Sequence, residues 1–138
     1  MPRNKPLPGL RIGHLNVYHL VNKIPDITVM LNNNLNLTHV LGLSETRLRE
    51  HINDGLVHIP NYGKPFRRDI KQTMHTGLAV YVHESIHNIT SRRRDLELDS
   101  IESLWIEIKT PNLPSLLVAN IYIEILPLDL NGSQTLYP

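Results

Sequence analysis

The spacing of apolar residues changes from segment to segment, and each spacing predicts an element. Residues 10–17, LRIGHLNV, read as a short strand that ends in Asn16. Leu20, Ile24, Ile27 and Leu31 then recur at intervals of three and four, the stripe of a helix. Pro25 suits a first turn rather than a helix interior, and Asp26 behind it favours the helix dipole. The pattern therefore predicts a helix over residues 25–33, stopping in the run Asn32-Asn33-Asn34. Residues 38–44 form the next apolar strand. Strand, helix and strand make a βαβ-like opening for a sheet covered on its faces.

Residues 46–76 hold turn signals at Asn53-Asp54-Gly55, Pro60 and Pro65, and read as loop. Residues 77–83, GLAVYVH, are a strand. Residues 102–109 alternate, with Leu104, Ile106 and Ile108 on one face and Trp105 and Glu107 on the other. Residues 114–124 form another apolar strand, and Pro111 and Pro114 bound the turn before it, so these two strands read as a hairpin. About five strands and one helix predict an α/β fold with a mixed β-sheet. The set is lopsided, because one helix cannot cover several apolar strands, and this points to a domain of which a part is missing. Residues 1–9, with three prolines, read as a leader, and residues 125–138 show no clear period.

Composition narrows the classes. A chain of 138 residues fits one domain, and 41% hydrophobic with 20% charged residues fits a globular one. Lys plus Arg is 14 against 13 for Asp plus Glu, a net charge of +1. That balance excludes polyanion binding by bulk charge, so any nucleic-acid contact has to be local. The basic runs Arg67-Arg68 and Arg92-Arg93-Arg94 read as solvated loops. The absence of cysteine excludes disulfides, thiolate zinc sites and cysteine nucleophiles. The N-terminus lacks the apolar core of a signal peptide, and no run approaches the roughly 20 apolar residues needed to span a bilayer. The expectation is an intracellular location, nuclear or cytoplasmic, without a membrane partner.

Two constellations carry candidate chemistry. Residues 83–87, His-Glu-Ser-Ile-His, match the H-E-x-x-H pattern of zinc metalloproteases, in which a helix places both histidines on one face. Here the match follows directly on a strand and precedes Asn88-Ile89-Thr90, so strand or turn is the expected state. Extended backbone would hold the two histidines about 13 Å apart, too far to share an ion. The second constellation is Asn16 with Glu45. Each lies at the carboxyl end of an apolar strand, and parallel strands joined by one helix bring such ends together, where α/β sheets bind ligands. Glu45 either marks where the chain reaches water or holds a metal ion. An amide and a carboxylate in one crevice are hard oxygen donors that suit Mg²⁺.

Several blocks then follow one another in a familiar order: IGHLNV, a helix, THVLGLSETRL, NYGKPFRRDIKQTMHTGLAVYV, ESLWIEI and VANIYI. Over residues 10–124 the chain resembles the endonuclease/exonuclease/phosphatase family, and most of all the apurinic-type endonuclease domain of non-LTR retrotransposons. The resemblance implies a partial four-layer α/β sandwich and phosphodiester chemistry with Mg²⁺ or Mn²⁺, with DNA as a partner. It implies that Asn16 helps hold the phosphate, that Glu45 of Ser44-Glu45-Thr46 binds the metal, and that Tyr122 contacts the scissile phosphate. The pattern departs after Tyr122, where Ile123-Glu124-Ile125-Leu126 replaces a small residue or Arg followed by prolines. The family's later Asp-x-Asn pair, further Asp and final His find no counterpart, and the literal Asp129-Leu130-Asn131 lacks their strand context. The expectation is therefore a truncated, inactive nuclease-like domain, or an interaction module on the same fold, with self-association through exposed strands.

Overall fold

The computed structural model describes residues 9–33, 36–71 and 75–124. Most of the leader and all of residues 125–138, including Asp129 and Asn131, lie outside the described residues. The described chain runs β1 (Ile12–Asn16), α1 (Leu20–Asn32), β2 (Val40–Ser44), β3 (Phe66–Arg68), β4 (Leu78–Val82), α2 (Glu84–His87), β5 (Thr90–Arg92), β6 (Glu102–Ile108) and β7 (Leu116–Tyr122). The fold is α/β with a mixed sheet. That sheet has the order β1-β2-β4-β3, with β1 and β2 parallel and the other pairs antiparallel. The strands do not all join it, however: β5-β6-β7 form a separate antiparallel sheet.

The two sheets pack face to face, which explains the continuous apolar runs of β2 and β4. Leu41, Leu43, Ala79 and Tyr81 point to one side, where they meet Leu20, Ile27 and Leu31 of α1. Val40, Leu78, Val80 and Val82 point to the other, where they meet Leu104, Ile106 and Ile108 of β6. A strand buried on both faces has no polar alternation to show. The loop-rich stretch after β2 supplies Leu48, Val57, Ile59 and Tyr62 to the helix-side core. The first sheet is thus covered by α1 and these loop residues together, a cover the helix alone could not give. Part of the lopsidedness expected from sequence shows on the outer face of the second sheet. There, Leu117 and Ile121 stay 45% exposed while Leu104 and Ile106 on β6's inner face are fully buried.

Helix α1 begins five residues before the expected start, so Pro25 lies inside it. Leu20 is fully buried, and its N–H donates to the Thr46 carbonyl at 3.0 Å. Burying Leu20, Ile27 and Leu31 is worth about 1.5–3 kcal/mol each. That sum exceeds the roughly 3 kcal/mol an interior proline costs. The segment 83–87 also departs from expectation, since Glu84–His87 form a single helical turn with His83 outside it as N-cap.

Arg67, Arg68 and Arg92 of the basic runs are not solvated loop residues, whereas Arg94 is exposed. Arg67 of β3 pairs with Asp54 and Asp69, each at 2.8 Å, and also donates to the Ile52 and Arg49 carbonyls. Arg68 donates to the carbonyls of Leu98, Ile101 and Ser103, fastening β3 to the entry of β6. Arg92 of β5 pairs with Glu97 at 2.6 Å and donates to the Arg67 carbonyl. These guanidinium groups staple the short strands β3 and β5 to their surroundings.

Candidate metal and phosphate site

The parallel register of β1 and β2 sets Asn16 opposite Ser44, so Glu45 leaves β2 at the same end of the sheet. The backbone there is unusual. Tyr18, Glu45 and Arg47 have φ values of 59°, 55° and 58°, left-handed conformations that non-glycine residues seldom adopt. Neighbouring bonds impose them. Val17 N–H donates to the Ser44 carbonyl at 3.0 Å, Thr46 N–H to Gly77 at 3.1 Å, and Arg47 N–H to Thr76 at 3.0 Å. Ser44 and Thr46 are buried on either side, while the Glu45 side chain stays partly open to water.

Tyr122 reaches this carboxylate from the other sheet. Its hydroxyl donates to Glu45 Oε1 at 2.7 Å, across 77 residues of sequence. Asn16 also favours the charged form of Glu45, and its Oδ1 accepts from Tyr18 N–H at 3.2 Å. The structure thus brings together all three residues singled out in the sequence. The Tyr122 hydrogen bond is the main cause holding the Glu45 carboxyl below the usual carboxylate range; partial burial opposes it, and Asn16 and the Arg47 charge assist it. The Tyr122 phenol is pushed up to about 12, first by its bond to Glu45, then by burial and the charges of Glu45, Glu124 and Glu102. At neutral pH the pair is therefore an anion and a protonated donor.

Asn120 shares a strand face with Tyr122 but does not open into the crevice beside it. It is buried, and its amide donates to the carbonyls of Leu43 at 2.9 Å and Ala79 at 3.1 Å. Gly42 makes room for it, since a Cβ there would lie 3.2 Å from Asn120 Cγ. Asn120 is thus a clamp between the sheets, just behind the Tyr122–Glu45 bond. Sequence reasoning missed Glu102, a buried carboxylate directly opposite Tyr122. Its one sequence signal is a glutamate at the first position of an apolar strand.

The donor set can be tested against a metal. Among the described residues no group of three or more His, Cys, Asp and Glu side chains could hold an ion. A closed protein cage of the structural-zinc kind is not built here. One ionised carboxylate beside an amide instead fits Mg²⁺, which keeps several waters and completes its shell with substrate phosphate. The histidines of 83–87 are engaged separately. His83 Nδ1 accepts from Ser85 N–H at 3.2 Å and its ring meets Tyr62 edge-on, whereas His87 stacks on Phe66 and lies 3.1 Å from the Lys64 carbonyl. With His83 outside the single turn, the two-histidine helix face that zinc chemistry needs is not formed. No helix among the described residues is long and apolar enough to cross a membrane.

Comparison of the chain with family models, with curated proteins and with solved structures found no match.

Proposed function

We propose that the chain carries the metal- and phosphate-holding part of an endonuclease/exonuclease/phosphatase-like domain of retrotransposon type, and that alone it binds a phosphodiester without cleaving it. The observation that carries this reading is the Tyr122–Glu45 bond, which joins two sheets at the carboxyl ends of parallel strands. In this reading Glu45 holds Mg²⁺ or Mn²⁺, and the bound ion supplies positive charge to a phosphoryl oxygen. Tyr122, protonated to well above neutral pH, has a single O–H, which Glu45 accepts in the free chain; in this reading that O–H turns from Glu45 to the phosphate once the ion takes the carboxylate. Asn16 orients the Glu45 carboxylate. The α1 side and the two sheets then correspond to three layers of a four-layer sandwich, and the outer face of β6 and β7 is where a fourth would lie.

Cleavage needs a base for the attacking water, and the Asp that serves as that base in the family, with the His that pairs with it at the phosphate, has no match in these 138 residues. Lacking a base costs roughly 10²–10⁴-fold in rate. The test is a Mn²⁺ titration followed by NMR line broadening, beside a nicking assay on supercoiled DNA in Mg²⁺. Broadening focused on Glu45, Asn16 and Tyr122, abolished in Glu45→Gln and without nicking, is the expected result. Nicking that disappears in Glu45→Gln would overturn the claim of inactivity. The exposed Leu117 and Ile121 favour a second reading, an interaction module that self-associates or holds DNA through this face. It predicts binding indifferent to both metal and Glu45→Gln.

A further inference from the structure

Glu102 opens β6 and is only 7% exposed. A buried carboxylate has to be held by donors. Its Oε1 accepts from Gly77 N–H at 2.7 Å, from Thr76 N–H at 3.0 Å and from the Thr76 hydroxyl at 3.1 Å. Its Oε2 lies 3.1 Å from Thr76 N and 3.6 Å from His75 Nδ1. The two residues whose N–H groups donate to Glu102 also accept through their carbonyls. Thr76 O takes the Arg47 N–H at 3.0 Å, and Gly77 O takes the Thr46 N–H at 3.1 Å. One carboxylate in the second sheet thereby fixes the loop whose carbonyls fix the backbone just after Glu45. Contact is close throughout. Gly77 sits at φ +92°, and a Cβ there would lie 2.4 Å from Thr46 Oγ1.

Left-handed backbone at two non-glycine residues persists only where surrounding bonds over-determine it. Glu45 and Arg47 are such residues, and the 75–77 loop supplies the bonds. We propose that Glu102 is a positioning residue for the Glu45 site: by holding the 75–77 loop against Thr46 and Arg47, it keeps Glu45 in its left-handed turn with the carboxylate directed at Tyr122. The use of this positioning rests on Glu45 and Tyr122 forming the metal and phosphate site, while the geometric part stands without it. Glu102 acts through backbone and touches neither the ion nor the phosphate.

The experiment compares the full chain with Glu102→Gln, which keeps the shape but removes the charge and one acceptor. A residue at positive φ gives a strong cross-peak between its own amide and α protons, and wild type shows it at Glu45 and Arg47. In Glu102→Gln both cross-peaks weaken, and the Thr46 and Arg47 amides exchange about tenfold faster, as expected when a charge-assisted bond becomes a neutral one. The Val80 and Leu104 amides keep their protection. Apparent Mn²⁺ affinity at Glu45 falls by about tenfold as well. Unchanged cross-peaks and exchange at Glu45, Thr46 and Arg47 overturn the proposal, and so does faster exchange spread evenly over β4 and β6. If Glu102→Gln does not fold, Glu102→Asp keeps the charge but withdraws the carboxylate from the Thr76 and Gly77 amides. Weakened cross-peaks at Glu45 and Arg47 there support the relay, and their retention overturns it. If wild type binds no Mn²⁺ while the cross-peaks behave as described, the metal reading of Glu45 falls and the positioning role stands.

Discussion

Tyr122→Phe removes one hydroxyl and keeps the ring, so it isolates the bond that joins the two sheets at Glu45. That bond is 2.7 Å long and is the largest influence favouring the Glu45 anion. A hydrogen bond to a charged group is worth about 1.5–3 kcal/mol when buried. Glu45 is partly open to water, which screens it, so about 1 kcal/mol is the appropriate figure. The sign follows from the direction of the shift. A carboxyl whose folded pKa lies below its ordinary value of 4.5 stabilises the fold above that pH, and the stabilisation disappears as pH falls through the folded pKa. The variant should therefore be less stable than wild type by about 1 kcal/mol at neutral pH, with the gap closing in acid.

The phenol adds an alkaline window of the opposite sense. Its folded pKa of about 12 lies above the ordinary 10.0, so its contribution is complete below 10.0 and is lost as pH rises through the folded value. Tyr122→Phe has no such group and should lack that share of the alkaline loss. Urea unfolding followed by Trp105 fluorescence across pH measures both windows. A stability gap that stays the same in acid as at neutral pH would refute the reasoning, since the hydroxyl would then not be acting on the charge of Glu45.

Two further substitutions test what holds the site in place. Gly42→Ala puts a methyl group 3.2 Å from an Asn120 side chain pinned by two hydrogen bonds, and overpacking of this kind costs about 1–3 kcal/mol. Chemical denaturation reads it, and unchanged stability would mean the amide yields. Arg67→Ala strips the partner from Asp54 and Asp69, and should cost about 2–3 kcal/mol while leaving any DNA affinity and its salt dependence unchanged. Intact stability with weakened DNA binding would instead make the Arg67-Arg68 run a phosphate contact.

What sequence could and could not foretell follows from where each signal resides. β2 and β4 were legible because burial on both faces leaves an unbroken apolar run, and β6 because Leu104, Ile106 and Ile108 alternate with Trp105 and Glu107. The start of α1 was not, because its anchor is the Thr46 carbonyl, 26 residues downstream of Leu20. β3 and β5 escaped because Phe-Arg-Arg and Thr-Ser-Arg carry no apolar period; Arg67, Arg68 and Arg92 hold them by bonds that no local pattern encodes. The meeting of Asn16 and Glu45 could be deduced from topology, since parallel strands around one helix align their ends. Tyr122 came only from resemblance, because its strand belongs to a separate sheet. The place of Glu102 at the start of an apolar strand could be read, but not what it holds. A glutamate at a strand end either reaches water or reaches a partner, and the sequence is the same in both cases. What separates the two is three-dimensional: a left-handed backbone that turns Glu45 to Tyr122, and a loop around Gly77 that closes over Glu102.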